Sequence, residues 1–425
     1  MVTYKLLAVT TSHYSRAHSP HRRFIPAELT ITKLHEKYCE WVSDCHPNVE
    51  TVNYAFYSNV FTTSYNIVPK PKTTDICDFC EEKRIAITHK LEDGEDVTEL
   101  KSELATHKEQ AEEQQAKLSV AEQLGKEEGP GSNTRTISID LQQTLPCPKI
   151  RVQRAYYKRK VWVYDCCIVD SNNQKATCFI WDETQAKRGS DEILSCLNKW
   201  IEAHKHEDFR KLVIYADNCA GQNKNIYFII NCLRLLHQDI LDEITIEFMV
   251  PGHSYLPCDR TFGKIEHKIK TQDINCPAEY VQYMQDAVKA GNNVIRMDQK
   301  DFFDVKSLLS KVTFRKPREP VLFSKGRTFS LHKDLPWVFK IKAAEGVQNV
   351  SLEKVRKAPP NKKKGTKNPA TPLLLDPLQE KYQGFIPLDA AKLKDLKNLK
   401  NFLATRAGKA WVDEVVAQQL NAVPI

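Results

Sequence analysis

Residues 211–238 read KLVIYADNCAGQNKNIYFIINCLRLLHQ, and this stretch is the strongest indication of the fold class. A continuous apolar run at 212–216 ends abruptly at Asp217, which is followed by residues that favour turns. Such a run is typical of a strand that is buried on both faces, as in the parallel sheets of α/β proteins. Because functional groups of open α/β sheets gather at the carboxyl ends of the strands, we expect Asp217 at a functional edge.

The next stretch, residues 244–270, reads ITIEFMVPGHSYLPCDRTFGKIEHKIK and continues the alternation of elements. Residues 226–236 have helical spacing, and the β-rich run at 245–250 predicts a second strand. We expect a further helix to start near Pro257, because proline is tolerated in the first turn of a helix.

Acidic residues lie at the ends of two predicted strands and on one predicted helix. Asp140 ends a short β-like run at 136–139, as Asp217 ends the apolar strand, and Asp259 and Glu266 lie about two turns apart on one face of the last helix. Carboxylates so placed are the hard oxygen ligands that a pair of Mg²⁺ or Mn²⁺ ions needs, with positions left open for phosphate and water. The competing interpretation is that the aspartates only cap turns, as is common in α/β proteins.

The overall composition narrows the class of protein. The chain has 425 residues and a formal net charge of +8, which predicts two or three domains and mildly favours a polyanionic partner. No run of about 18 apolar residues exists, so we expect no membrane span, and the amino terminus lacks the apolar core of a secretory signal. Several of the 13 cysteines lie in apolar runs and are interpreted as free thiols of a reducing compartment.

A C-x-x-C pair, Cys77 and Cys80, is the sharpest motif of the front segment. Such a turn places two thiolates at a spacing suitable for one tetrahedral Zn²⁺ ion, which needs two further ligands. A zinc site and a pair of unliganded thiols are equally compatible with the motif, whereas no βαβ pattern surrounds it to favour a redox role. The residues that could complete a site have no diagnostic spacing; they are Cys39, Cys45, His46, His89 and His107.

Changes in composition divide the chain into six segments. They are residues 1–95, a helical module with the C-x-x-C pair; 96–134, a long helix and linker; 135–305, an α/β core; 306–350, a small β-rich subdomain; 351–372, a basic linker; and 373–425, a helical segment. The weak apolar stripe of the helix at 96–125 predicts pairing with another helix, including that of a second copy. The basic linker, like Arg16, Arg22 and Arg23, is compatible with phosphate contact or nuclear import, or only with solvation.

The expected order of core elements is a strand ending in Asp140, two further strands, a helix, the strand ending in Asp217, a helix, a strand and a helix. This order, with acids after the first and fourth strands and on a late helix, resembles the ribonuclease-H-like core of DDE/D transposases and retroviral integrases. The motifs are similar to those of transposase-derived, integrase-like proteins of animal genomes. They are DLQQTLPCP at 140–148, WDE at 181–183, RGS at 188–190, YADNCAGQNKN at 215–225, GHS at 252–254, CDR at 258–260 and IE at 265–266. The resemblance covers residues 10–305, and because such proteins often carry more sequence upstream, we expect this chain to start late.

The resemblance implies a ribonuclease-H-like mixed sheet flanked by helices over residues 135–305, with DNA as the partner. Asp140 and Asp217 would ligate Mg²⁺ or Mn²⁺ together with a third acid. Asp259 is the first choice for that acid, because it lies closest to the preceding strand, and Glu266 is the alternative.

Two further residues are candidate phosphate contacts. His253 follows the second strand and is expected to orient phosphate or an attacking water, unless it only forms hydrogen bonds in its Pro-Gly turn. Lys224 lies at a helix amino terminus, where free N–H groups favour anions, so it either contacts phosphate or only helps to cap the helix. For Glu266, the alternative to a catalytic role is an ion pair with Lys270.

Three functions are compatible with these features. The first is two-metal cleavage of a DNA phosphodiester bond, or strand transfer by a 3′-hydroxyl. The second is a domesticated DNA- or chromatin-binding protein that keeps the fold but no longer cuts. The third is a 3′–5′ exonuclease, which would need a fourth acid at the same place. We expect a nuclear location, otherwise a cytoplasmic one, and no secretion.

Overall fold

A computed structural model of the chain describes residues 10–11, 23–25, 29–64, 67–69, 76–288, 291–314, 321–344, 346–354 and 374–421. The chain forms two compact units, residues 1–101 and residues 102–425. The basic linker expected at 351–372 lies outside the described residues from position 355 onward, as do the side chains of the basic residues singled out near the amino terminus. Within the described ranges, no helix is both long and apolar enough to cross a membrane.

The first unit is mostly helical. Its elements are the strands β1 (Thr10–Thr11), β2 (Arg23–Ile25) and β3 (Ile67–Pro69) and the helices α1 (Ile31–Cys45), α2 (Tyr54–Ser64) and α3 (Asp78–Glu92). The hydroxyl of Thr30 accepts a hydrogen bond from Lys33 N (3.2 Å) and caps α1. The rings of Tyr38 and Tyr57 lie 5.2 Å apart, so aromatic packing joins α1 to α2. The aromatic-rich stretch Tyr54–Ser64 is therefore a helix that packs on α1.

The second unit is built on one mixed sheet. Its first six strands are β4 (Thr134–Leu141), β5 (Leu145–Cys147), β6 (Val161–Asp170), β7 (Lys175–Asp182), β8 (Lys211–Ala216) and β9 (Glu243–Phe248). The spatial order is β7-β6-β4-β8-β9, and β5 pairs with β6. β6 is antiparallel to both β7 and β4, whereas β4, β8 and β9 run parallel to one another. The α/β class and the mixed sheet that the sequence predicts are thereby confirmed.

Helices cover both faces of this sheet. The helices that begin in or after the linker region are α4 (Thr98–Glu128), α5 (Gln153–Tyr156), α6 (Ser190–His204), α7 (Ile226–His237), α8 (Pro257–Ile269), α9 (Pro277–Ala287), α10 (Ala390–Leu399) and α11 (Arg406–Asn421). Because side chains alternate along a strand, Ile214 packs with α6 and α7 on one face, whereas its neighbour Tyr215 packs with α8 and α9 on the other. Burial on both faces explains why the sequence of β8 is continuously apolar.

Additional strands extend both edges of the sheet. β10 (Asn293–Arg296) pairs in parallel with β7. At the other edge, β11 (Val312–Phe314), β12 (Thr328–His332), β13 (Val338–Ala343) and β14 (Gly346–Lys354) follow β9 in the spatial order β12-β13-β14-β11. Because β12 bonds to the free edge of β9, the β-rich segment expected as a small subdomain at 306–350 is continuous with the central sheet.

Part of the long helix α4 is buried within the second unit. The helix is mostly exposed, as the sequence predicts for residues 96–125, and one face that includes Ala111 and Leu118 is buried. A Cβ atom on Gly125 would lie only 3.2 Å from the Cβ atom of Ser171 at the start of the β6–β7 turn. This face of α4 is therefore occupied by the same chain, and the pairing with a second copy stays a prediction for the exposed face.

Candidate functional site

The carboxyl edge of the parallel strands carries two of the predicted acids. Ile139 of β4 lies beside Ala216 of β8, so Asp140 and Asp217 come next at the same edge. The carboxylate of Asp140 accepts a hydrogen bond from the N–H of Leu141 (2.8 Å). Parallel strands end together, and this geometry brings together two residues that are far apart in the sequence.

Asp259, in the first turn of α8, is the third acid. Its carboxylate accepts a hydrogen bond from the N–H of Leu256 (2.8 Å), which fixes the start of the helix. The helix is held on the sheet by the buried side chains of Phe262 and Ile265, and by Cys258, whose thiol donates to the carbonyl oxygen of Cys167 (3.2 Å). The predicted start of this helix at Pro257 is observed.

The charges of Asp217 and Asp259 act on the carboxyl group of Asp140. Burial raises the pKa of Asp140 well above its ordinary value, and the negative charges of Asp217 and Asp259 raise it further. Burial also raises the pKa of Asp217, although hydrogen bonds from the Asn223 side chain and the Cys219 N–H act to lower it. Within the described ranges, no three acidic side chains have oxygen atoms all within 4.8 Å of one another. A cation at this edge would offset the repulsion between the carboxylates.

Glu266 is placed differently from Asp259. Its carboxylate accepts a long hydrogen bond from the Nε2 of Gln142 (3.4 Å), and its charge is not among the causes that raise the pKa of Asp140. The alternative ion pair with Lys270 is not formed in the part of the chain that the structure describes. Of the two candidates for the third acid, Asp259 is therefore the one that shares the electrostatic environment of Asp140.

Two amide side chains at this edge carried no clear signal in the sequence. Asn223 is fully buried, and its Nδ2 donates to the carboxylate of Asp217. The remaining amide oxygens, Oδ1 of Asn223 and Oε1 of Gln142, are buried and accept no hydrogen bond from any described residue. Carboxylate and amide oxygens are both hard oxygen donors of the kind that can bind divalent cations. The one sequence feature that could have indicated Asn223 is its position in the motif that follows Asp217.

Lys224 does not point toward open solvent. Its Nζ donates to the carbonyl oxygen of Ser324 (2.7 Å) and lies 5.7 Å from the centre of the Phe248 ring. Burial lowers the pKa of Lys224 to about 8, with a smaller effect from the positive charge of Arg327. The ammonium group of Lys224 thus binds the protein in this structure, and its phosphate contact stays a prediction. The helix α7 is capped by Asn225, whose side chain accepts from the N–H of Phe228 (3.2 Å).

His253 lies in the loop after β9. Its ring centre is 5.1 Å from that of His107 on α4, and its carbonyl oxygen accepts from Nε2 of Gln115 (3.0 Å). The nearest ring nitrogens of the two histidines lie within 4.8 Å of each other. Burial lowers the pKa of His107, and the charge of Arg327 acts in the same direction, which favours the neutral imidazole that can bind a metal ion.

In the first unit, Cys77 and Cys80 form a second pair of metal-binding groups. Cys77 precedes α3 and Cys80 lies in its first turn, so that the C-x-x-C spacing brings the two Sγ atoms within 4.8 Å of each other. The two thiols of the first unit, and the two imidazoles of the second unit, are each of the ligand types that zinc uses. The sequence named three of these residues as candidate zinc ligands, whereas it assigned His253 to phosphate.

Asp165, on β6, is a buried acid with a strong expected effect on stability. Burial raises its pKa to about 7, although the thiol of Cys178 acts to lower it. The folded protein therefore keeps a proton that the unfolded chain releases near pH 4, so stability falls as the pH rises from about 4 to about 7. Asp165→Asn, which is neutral at every pH, should abolish this loss of up to about 4 kcal/mol, measured as the free energy of urea unfolding.

The control for this prediction is Asp286→Asn, which changes an exposed aspartate on α9. It should leave the pH dependence of unfolding as in the wild type, because water solvates its charge in both states. If Asp165→Asn kept the full decline between about pH 4 and about pH 7, the buried ionisation would not be its source.

Comparison with known proteins finds a family similarity over part of this chain. No curated protein and no solved structure matches it. The matched range starts in β6 and ends in β13, so it includes Asp217, Asp259 and Glu266 but not Asp140. Over residues 163–342, the chain is similar to the family described as Domain of unknown function (DUF7869).

Proposed function

We propose that the second unit is a ribonuclease-H-like nuclease or strand transferase of the DDE/D type that acts on DNA. The strand order β7-β6-β4-β8-β9 supports this proposal, because its first three strands are antiparallel and its last three parallel. The helices α6, α7 and α8 follow β7, β8 and β9 in the chain. The same succession of elements is implied by the sequence resemblance to transposases and integrases.

The observation that carries the proposal is the grouping of acids at the carboxyl edge. Asp140 belongs to the first strand of this plan, Asp217 follows the fourth strand, and Asp259 lies on the helix after the fifth. Asp140 interacts electrostatically with the other two. The unpaired buried oxygens of Asn223 and Gln142 add neutral ligands at the same edge.

Each residue then has a distinct part in the reaction. Mg²⁺ or Mn²⁺, when bound, supplies activation of water or of a 3′-hydroxyl and stabilisation of the leaving oxygen. Asp140, Asp217 and Asp259 would hold the cations, and the hydrogen bond from Asn223 orients the carboxylate of Asp217. Hydrolysis would nick DNA, whereas attack by a 3′-hydroxyl would join strands. A nuclear location belongs to the same proposal.

The proposal is tested by the nicking of supercoiled plasmid DNA in Mg²⁺ or Mn²⁺, with the wild type compared to Asp217→Asn.

A second candidate function is DNA binding without cleavage. It is favoured by the local hydrogen bonds of the acids, because the carboxylates of Asp140 and Asp259 each accept from a nearby backbone N–H, as capping residues do. Cation-dependent nicking by the wild type that is lost in the variant supports catalysis, whereas binding without nicking supports the second candidate.

We also propose that Cys77 and Cys80 are zinc ligands. Their two thiolates provide the soft donors that a structural zinc site uses, and the C-x-x-C turn at the start of α3 brings them together. Such a site would stabilise the first unit, whose described helices bury few apolar side chains.

A further inference from the structure

A basic cleft lies on the second unit, beside the sheet extension. We define it by the cations that line it, which are Lys117, Lys325, Arg327 and Lys342. Its walls come from α4, from the loop after β9 and from the ends of β12 and β13, and its volume is about 600 Å³. Lys117 and Arg327 are partly buried, whereas Lys325 and Lys342 are exposed. These four positive charges are contributed by three separate parts of the chain.

One cation of the cleft, Arg327, lacks an acidic partner among the residues that the structure describes. Glu113, the one acid among the described lining residues, forms an ion pair with Lys117 (3.0 Å). Nearby Glu247 accepts hydrogen bonds from neutral groups, the Nε2 of Gln114 (2.8 Å) and the hydroxyl of Thr328 (3.0 Å). The guanidinium of Arg327 forms no ion pair with any residue of the described ranges. Its partial burial makes this unpaired charge costly unless an anion binds.

A fifth cation, Lys224, lies close to the cleft. Lys224 donates to the carbonyl oxygen of Ser324, which lines the cleft, and the charge of Arg327 acts to lower the pKa of Lys224. Like charges that influence each other in a half-buried environment repel, and an anion between or beside them would relieve that repulsion.

The register of the sheet places the cleft on the same edge as the acids. Tyr215 of β8 lies beside Glu247 of β9, Glu247 beside Thr328 of β12, and Thr328 beside Lys342 of β13. Asp217 is two residues beyond Tyr215. The row from β8 to β13 therefore spans three strand spacings, about 14 Å. In a DNA duplex this distance covers roughly four base pairs along one strand.

We propose that the basic cleft binds the phosphate backbone of DNA next to the bond positioned at the acidic edge. The inference rests on the proposed function for the identity of the ligand, and it adds a substrate-binding role for the sheet extension β12–β13. Arg327 suits this role because a guanidinium binds two phosphate oxygens at once, whereas the lysines act as point charges. Such contacts carry no sequence information, so binding should depend strongly on salt and weakly on base sequence.

The test measures the binding of a fluorescently labelled DNA duplex by anisotropy, without divalent cations, from about 50 to about 200 mM salt. Arg327→Gln/Lys342→Gln should reduce the slope of log affinity against log salt by about 2 and weaken binding roughly tenfold. The matched control is Arg406→Gln/Lys409→Gln, which removes the same charge from exposed positions on α11. It should bind like the wild type. Lys342→Glu, at an exposed side chain, repeats the test without disturbing the partly buried Arg327.

The outcomes separate this inference from the proposed function. Wild-type affinity and salt slope in the cleft variants would overturn the inference, even if the wild type nicks DNA. Weakened binding in the cleft variants of a protein that never nicks would support the cleft and contradict catalysis. Equal losses in the cleft variants and in the α11 control would show that only net charge matters. Displacement of the duplex by an acidic peptide but not by single-stranded DNA would assign the cleft to a protein partner and overturn the inference.

Discussion

Asp217→Asn should abolish cation-dependent nicking of DNA, lowering the rate by about 10³-fold or more. The substitution keeps the size of the side chain and the possibility of a hydrogen bond with Asn223, but it removes the charge that a divalent cation needs. The measurement is the rate of conversion of supercoiled plasmid to nicked circles in Mg²⁺ and in Mn²⁺. DNA binding without cations should remain at the wild-type level, because the basic cleft is unchanged.

Three further variants sharpen this test. Asp259→Asn should lose activity like Asp217→Asn, because an asparagine oxygen can still accept the hydrogen bond from Leu256 while the charge is gone. Glu266→Gln should keep more activity, because Glu266 is not coupled to Asp140. Asp273→Asn, at a partly exposed aspartate outside the edge, is the control. Undiminished nicking by Asp217→Asn would remove the catalytic interpretation, and loss in Glu266→Gln alone would assign the third acid to Glu266.

Cys77→Ser/Cys80→Ser should remove zinc from the purified protein and unfold part of its first unit. Structural zinc sites contribute an apparent binding free energy of about 10–16 kcal/mol, which a small helical unit can need in order to fold. Zinc content is measured by atomic emission, and the loss of structure by helical circular dichroism and limited proteolysis. Chelation of the wild type should reproduce the effect of the double variant.

The matched control is Cys39→Ser/Cys45→Ser, which makes the same chemical change in the same unit. Cys39 contacts His35 (Sγ to Nε2, 3.7 Å), and Cys45 is exposed. Zinc content should stay unchanged in this control. Retention of zinc by Cys77→Ser/Cys80→Ser would contradict the assignment, whereas loss of zinc in the control as well would mean that Cys39 or Cys45 completes the site.

Local sequence patterns were sufficient to predict much of the framework around the site. The apolar run before Asp217 is a strand, the start of a helix at Pro257 is observed, and the aspartates lie at the predicted strand and helix ends. These features depend on side-chain periodicity and on turn-forming residues within one segment, so a sequence contains them directly. The proximity of the two thiols of the C-x-x-C pair could also be predicted from one segment, because a single turn sets their spacing.

Residues whose roles depend on distant partners were not predictable in this way. Lys224 has a place at a helix start that suits phosphate, yet its ammonium group binds the carbonyl of Ser324, a hundred positions away. His253 was assigned to phosphate, but its ring lies beside that of His107. No local pattern predicts such pairs, since they form only when separate segments pack together.

The α/β class, the strand before Asp217 and the candidate acids can be predicted from the amino-acid sequence, because periodicity and chain breaks are local properties. The three-dimensional fold was needed to show that Asp259 rather than Glu266 shares the environment of Asp140, and that β12 and β13 continue the sheet toward a basic cleft. Both outcomes arise from pairing between remote segments and from the burial that this pairing causes, and burial sets how strongly charges interact.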